Sequence, residues 1–299
     1  MNRKLIAGGF VVLLCLAEAL LAQDTPLDTT SGSASKITYT FKTANYPHDP
    51  NTQLLGINNA GEIVGYHGQP NKGFTLKLPN TFTLEDFPGA VQTQVTGVND
   101  LGQTSGFYTD TAGVQHGFLK LGANFKTVDY PGSVGNQLLG LNSAGQAIGI
   151  YSEAEGQTNY YLYERGKFLL IRLPDEITSS GGATITGINN AGDISGYYVD
   201  KAYRTNGFLL TQGHLKTLTV PGAVATWAYG LNNVGQVVGY SSPGPYQASG
   251  FVWSESTGFQ TVDDPNGNGI TIINGINDKG VIIGSYGQCF TCNAFIGTP

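Results

Sequence analysis

Seven side chains able to bind or act on a ligand, His48, Asp49, Asp86, Asp129, Asp175, Asp263 and Asp264, each lie within two residues of a proline. Two carboxylates about 5 to 10 Å apart would suit a glycosidase or lyase, with one as acid and the other as base or nucleophile. A site for an acidic sugar would add clustered arginines, but beyond the first 22 residues only Arg165, Arg172 and Arg204 occur, in two neighbouring units of the chain. His48, His67, His116 and His214 stand alone, without the paired spacing that holds zinc. No G-x-S-x-G elbow offers a serine nucleophile. The residue pattern therefore predicts no catalytic constellation, no metal site and no cofactor.

Cys289 and Cys292 form a C-x-x-C. A redox pair would need a helix start in a βαβ setting, and zinc would need two further ligands. An oxidising compartment favours a local disulfide, with two free thiols as the alternative. So small a loop gains little stability from the bridge.

The elements that must position these groups come from a repeat. The frame G-x4-G-x3-G occurs six times, at Gly56/Gly61/Gly65, Gly97/Gly102/Gly106, Gly140/Gly145/Gly149, Gly187/Gly192/Gly196, Gly230/Gly235/Gly239 and Gly275/Gly280/Gly284. The copies are 41 to 47 residues apart, so the frame is constant while the loops vary. Around the second glycine sit Asn59-Ala60, Asp100-Leu101, Ser143-Ala144, Asn190-Ala191, Asn233-Val234 and Asp278-Lys279. Asn, Asp or Ser bonds the backbone of a turn and the glycine takes the positive φ that follows, which predicts a hairpin. These turns lack the carboxylate spacing of a calcium loop. A third strand is announced by Gly73-Phe74, Gly117-Phe118, Tyr160-Tyr161, Gly207-Phe208, Gly250-Phe251 and Ala294-Phe295. A fourth run ends in proline, as in FTLEDFP (82–88) and FKTVDYP (125–131).

Four strands in about 43 residues predict an all-β, six-bladed β-propeller of four-stranded antiparallel blades. The last unit stops at residues 297–299, straight after its third strand, and FKTANYP (41–47) at the front matches FKTVDYP in five of seven positions. The N-terminal strand is therefore expected to complete the sixth blade and remove the open edges that would invite aggregation. Aromatics after the third glycine, such as Tyr66, Phe107, Tyr108, Tyr151 and Tyr197, are expected mainly in blade packing, with sugar stacking as the sharper alternative.

The hairpins GINNAGEIVG (56–65), GINNAGDISG (187–196) and GLNNVGQVVG (230–239), with His116-Gly117-Phe118, resemble the bacterial extracellular HAF-repeat family. The resemblance covers about residues 37 to 299 and implies an exported repeat protein. It transfers no catalytic residue.

Residues 1–22 read as a signal peptide, with Arg3 and Lys4 ahead of an apolar stretch too short to span a bilayer. Residues 23–36 read as a flexible leader and 37–299 as the propeller. A net charge of −6 argues against nucleic acid. No later segment suits membrane insertion. The expectation is a secreted, periplasmic or cell-surface monomer, a non-enzymatic scaffold for a glycan or protein ligand. The loops after strands two and four share one end of the ring, which collects the seven residues. A carbohydrate-active hydrolase or lyase built on those carboxylates is the alternative.

Overall fold

Each copy of the repeat folds as an antiparallel four-stranded meander, and the first strands of the six sheets meet in a closed cycle around one axis. The computed structural model describes residues 37–49, 51–154, 156–178, 182–287 and 292–299. The expected signal peptide and leader lie outside these residues, as does Cys289. Blade one consists of Thr52–Ile57, Glu62–His67, Lys72–Lys77 and Thr81–Leu84. Blades two to five follow the same plan.

Blade six takes three strands from the end of the chain, Thr271–Ile276, Ile282–Tyr286 and Asn293–Thr298, and its outer strand from the beginning, Thr40–Thr43. Thr40 pairs with Thr298 and Thr43 with Phe295. Phe41 packs edge-on against Phe295 with centroids 5.3 Å apart. The ring is thus closed by the strand that FKTANYP pointed to.

Burial explains the sequence of each strand. Second strands such as Ile282–Tyr286 and Val237–Ser242 are buried throughout, because neighbouring blades cover both faces, so they read as unbroken apolar or small runs. Fourth strands are largely exposed, as in Thr81–Leu84, and carry polar alternation. The strand-three aromatics Phe74, Phe118, Tyr161, Phe208, Phe251 and Phe295 fill the blade centres at 2 % exposure or less. Removing one such ring costs about 3–5 kcal/mol.

The three glycines of the frame have three different causes. The first lies where first strands of adjacent blades touch: a Cβ on Gly230 would come within 2.9 Å of Gly275 Cα. The second holds φ between 70° and 85° in all six turns, a region disfavoured for side chains. The third passes under its own blade: a Cβ on Gly106 would overlap the carbonyl oxygen of Gln94 and crowd the Phe118 ring.

The turns after strands one and three gather at one end of the ring, the turn face. The loops after strands two and four gather at the other, the loop face. Thr40 and Thr298 pair at the turn face, where Pro299 lies beside Gly280.

Candidate functional site on the loop face

The turn face is built from two consecutive turn residues of each hairpin, an Asn followed by Asn, Asp or Ser. The first Asn, at 58, 99, 142, 189, 232 and 277, is buried in every blade. Its Oδ1 caps its own turn, as where Asn142 accepts N–H bonds from Ala144 and Gln146 at 3.1 and 2.9 Å. Its Nδ2 donates to the carbonyl of the equivalent Asn in the next blade: 58 to 99, 99 to 142, 142 to 189, 189 to 232, 232 to 277 and 277 back to 58, at 2.9 to 3.4 Å. The next residue forms a second cycle. The backbone N–H groups of Asn59, Asp100, Ser143, Asn190, Asn233 and Asp278 each donate to the side-chain oxygen of the following blade's equivalent, at 2.8 to 3.2 Å. Burial opposes ionisation of Asp278, but bonds from Asn233 and Asn59 outweigh it and hold the carboxyl below its usual range. The axial mouth inside these rings encloses about 110 Å³.

The seven sequence-predicted residues lie on the loop face, spread over five of the six blade-to-blade connections. Asp86, Asp129 and Asp263 occupy one repeat position, each accepting the N–H of the strand-three glycine, Gly73, Gly117 or Gly250, at 3.0 Å. Asn45 does the same for Ala294 at 2.8 Å. Asp49 bonds His67 Nδ1 at 3.0 Å and the Asn51 N–H at 2.9 Å. Asp264 is buried and accepts the Asn266 N–H at 2.8 Å. His48 is exposed on a turn at φ 62°. Asp175 opens a one-turn helix, Asp175–Thr178. The residues are brought to one end of the ring, yet each carboxylate whose bonds are given above is held by its own surroundings rather than by another of the seven.

His116 bonds Asp129 at 2.6 Å and Asp110 at 3.4 Å, with its ring 5.0 Å from Tyr108. Partial burial draws its pKa down, but the two carboxylates outweigh that and hold it above the ordinary histidine value. Among the described residues no three His, Cys, Asp or Glu side chains gather as metal ligands. Cys292 is buried and its Sγ accepts from Gln53 Nε2 at 3.0 Å.

The aromatics after the third glycine divide between blade and channel. Phe87 stacks on Tyr108 at 3.7 Å and Tyr130 on Tyr151 at 3.9 Å, sealing blades two and three, and Tyr46 stacks on His67 at 3.5 Å in blade one. Tyr66, Phe107 and Tyr197 line the axial channel.

Between blades three and four the stacked aromatic is replaced by an aliphatic, Leu173, buried with Ile177 and Ile185. Leu173 stands where Phe87 and Tyr130 stack, and the connection from Ile171 to Ala183 is the longest between two blades. A cleft of about 800 Å³ opens there on the loop face, lined among the described residues by Tyr160, Leu170, Arg172, Asp175, Thr184 and Tyr197. Tyr160 Oη donates to Ala183 O at 2.7 Å, bridging the two blades across its floor. Burial raises the pKa of Tyr160 and of Tyr197, so both phenols are neutral hydrogen-bonding groups at pH 7. Tyr197 faces both this cleft and the channel. Of the lining residues, the sequence points to Asp175 as a ligand candidate and to Tyr197 as a sugar-stacking alternative to blade packing. The readable signal for the others was the length of the 172–182 connection and the loss of its aromatic.

No family model matches the chain, and no curated protein matches it; the likeness to HAF repeats rests on the motifs alone. Solved structures share the fold. A catalytically inactive variant of virginiamycin B lyase from Staphylococcus aureus, with quinupristin, superposes with a TM-score of 0.53 at 11 % identity, covering 88 % of this chain and 100 % of that one. The Aleuria aurantia lectin in complex with Fucα1-6GlcNAc gives 0.51 at 11 % identity, covering 82 % and 91 %. TolB from Acinetobacter baumannii gives 0.56 at 14 % identity, covering 73 % of this chain and 55 % of TolB. At these identities the likeness establishes a propeller and nothing finer.

Proposed function

We propose that this protein is an exported, non-enzymatic binding scaffold that takes a glycan in the cleft between blades three and four. The observation that carries the reading is the cleft itself. Its volume of about 800 Å³ falls in the range of small-ligand sites, and it combines two tyrosine rings with one cation and one carboxylate. Aromatic faces stack on the C–H faces of sugar rings, while Arg172, Asp175 and the phenols supply hydrogen bonds to hydroxyls. Two propellers of similar fold, the Aleuria aurantia and SapL1 lectins, are described in complex with fucosides.

Binding without turnover is favoured by the carboxylates. Acid–base cleavage of a glycosidic bond needs a pair, and Asp175 is the one carboxylate among the described lining residues. Asp86, Asp129 and Asp263 each hold a strand-three N–H instead. Export rests on residues 1–22, whose pattern is that of a signal peptide.

A glycan array run beside a polysaccharide-degradation screen tests the proposal. Saturable binding without product release is expected, abolished by Ala183→Trp, which fills the cleft, and weakened by Arg172→Ala. Release of sugar products would replace the scaffold with an enzyme. Binding untouched by Ala183→Trp would remove the cleft as the site.

A further inference from the structure

The six blades act as controls for one another: an exposed tyrosine in blade four breaks the rule its sister positions obey, and a second stands at positive φ in a different turn of blade five. In blades two and three the loop after strand two closes as one turn. Gly113 N–H donates to Asp110 O at 3.1 Å and Gly156 N–H to Glu153 O at 2.9 Å, with the glycines at φ 83° and 84°. Blade four builds the same turn: Tyr203 N–H donates to Asp200 O and Asp200 N–H to Arg204 O, both at 2.9 Å. Asp200 Oδ1 accepts the Ala202 and Arg204 N–H groups just as Asp110 Oδ1 accepts those of Ala112 and Val114. The glycine position is now Tyr203, at φ 60°. In blade five Tyr246 follows Pro245 at φ 60°, in a turn where Gln247 N–H reaches Gly244 O at 3.4 Å.

A left-handed backbone is strained for a residue with a side chain, and such strain persists where something else is gained. Packing is not the gain here, because Tyr203 is 88 % exposed and Tyr246 80 % exposed. Both rings are held out into solvent on the loop face, on adjacent blades. Tyr203 sits four residues beyond Val199, which belongs to the wall of the cleft.

We infer that Tyr203 and Tyr246 form an aromatic platform that continues the cleft across blades four and five, so that the ligand is a linear oligosaccharide laid along the loop face. This rests on the glycan reading of the cleft and extends it from one sugar to a chain. Successive ring faces stack on the two tyrosines, flanked by the exposed Gln247 amide and by the N–H groups of Arg204 that are not paired with Asp200. An extended chain suits two separated flat surfaces; a single sugar can occupy only one.

The test compares disaccharides with longer linear oligosaccharides of the same series, bound to the wild-type protein and to Tyr203→Gly and Tyr246→Gly. The glycine variants are expected to melt at a higher temperature, because strain is relieved. Each is expected to bind the longer oligosaccharides about tenfold more weakly, which is about 1.4 kcal/mol, while disaccharide affinity in the cleft stays unchanged. Undiminished binding of long chains by both variants, with Ala183→Trp still abolishing it, would overturn the platform and leave the cleft standing. A lower melting temperature in both variants would mark the tyrosines as packing residues and also overturn it. Failure of the wild type to bind any oligosaccharide would remove both readings together.

Discussion

At the turn face every blade gives the same atoms to the same bond, so that six asparagines and six turn residues run round the axis without a break. At the loop face the blades differ. Gly89, Gly132 and Gly222 share a Pro-Gly turn, whereas the other connections carry His48, the helix at Asp175 or the longer loop through Asn268. Regularity marks what holds the ring together, and departure from regularity marks where the chain has been put to another use. Blades three to five hold the cleft and both displayed tyrosines, while blades one to three are sealed by stacked aromatics.

The strongest way to break the comparison is to open the ring. Deleting residues 38–47 removes the outer strand of blade six and should cause aggregation, or a loss of more than about 5 kcal/mol, a large share of a domain's stability. Size-exclusion chromatography with thermal melting checks this; a monomer of unchanged stability would discredit closure.

Next in size is the inner asparagine ring. Asn142→Ala removes one bond to the Asn189 carbonyl, which keeps the Gly192 N–H, and two to the N–H groups of its own turn, which should cost about 3 kcal/mol at roughly 1 kcal/mol per hydrogen bond. Asn99→Ala and Asn232→Ala should cost alike in denaturant melts. A wide spread among the three would show that the blades do not share the load.

Smaller and opposite in sign are the turn swaps. Tyr203→Gly or His48→Gly should stabilise by about 1 kcal/mol, and Gly156→Tyr should destabilise by about as much. Equal melting temperatures for all three would show that the left-handed positions carry no strain.

The smallest effect is one of pH. With its pKa held above the ordinary value of about 6.5, His116 contributes stability that is fully present below that pH and lost as pH climbs through the raised folded value. The difference in melting temperature between wild type and His116→Gln should shrink from mildly acidic to mildly alkaline buffer. A difference that grows with pH would reverse the sign of the interaction.

Much of the architecture was legible because glycine reports backbone constraints directly and because the front strand kept its FKT…YP wording. The rings were half legible. The first turn residue is Asn in all six copies, while the second drifts among Asn, Asp and Ser. A turn cap alone would tolerate the same drift at both. Only an amide can cap its own turn with oxygen and reach the neighbour with nitrogen, whereas the second ring asks its side chain for an acceptor oxygen and so accepts Asp or Ser. The partner lies 41 to 47 residues away in most steps and 219 residues away between Asn277 and Asn58, so its identity depends on the closed circle. The cleft was not legible as a site. A gap between sheets is a property of two blades at once, and Tyr197 looks in sequence like Tyr66 and Phe107, although Tyr160 stands where Gly73, Gly117, Gly207 and Gly250 do. Tyr203 could have been found by setting Asp110–Gly113 and Glu153–Gly156 above Asp200–Tyr203 and asking why one turn has a ring where two have none.

Because Thr298 pairs with Thr40 at the turn face, a tether attached beside it holds the protein by its back. On a sensor chip or a bead, immobilisation through Pro299 leaves the tyrosines and the cleft pointing toward the solution.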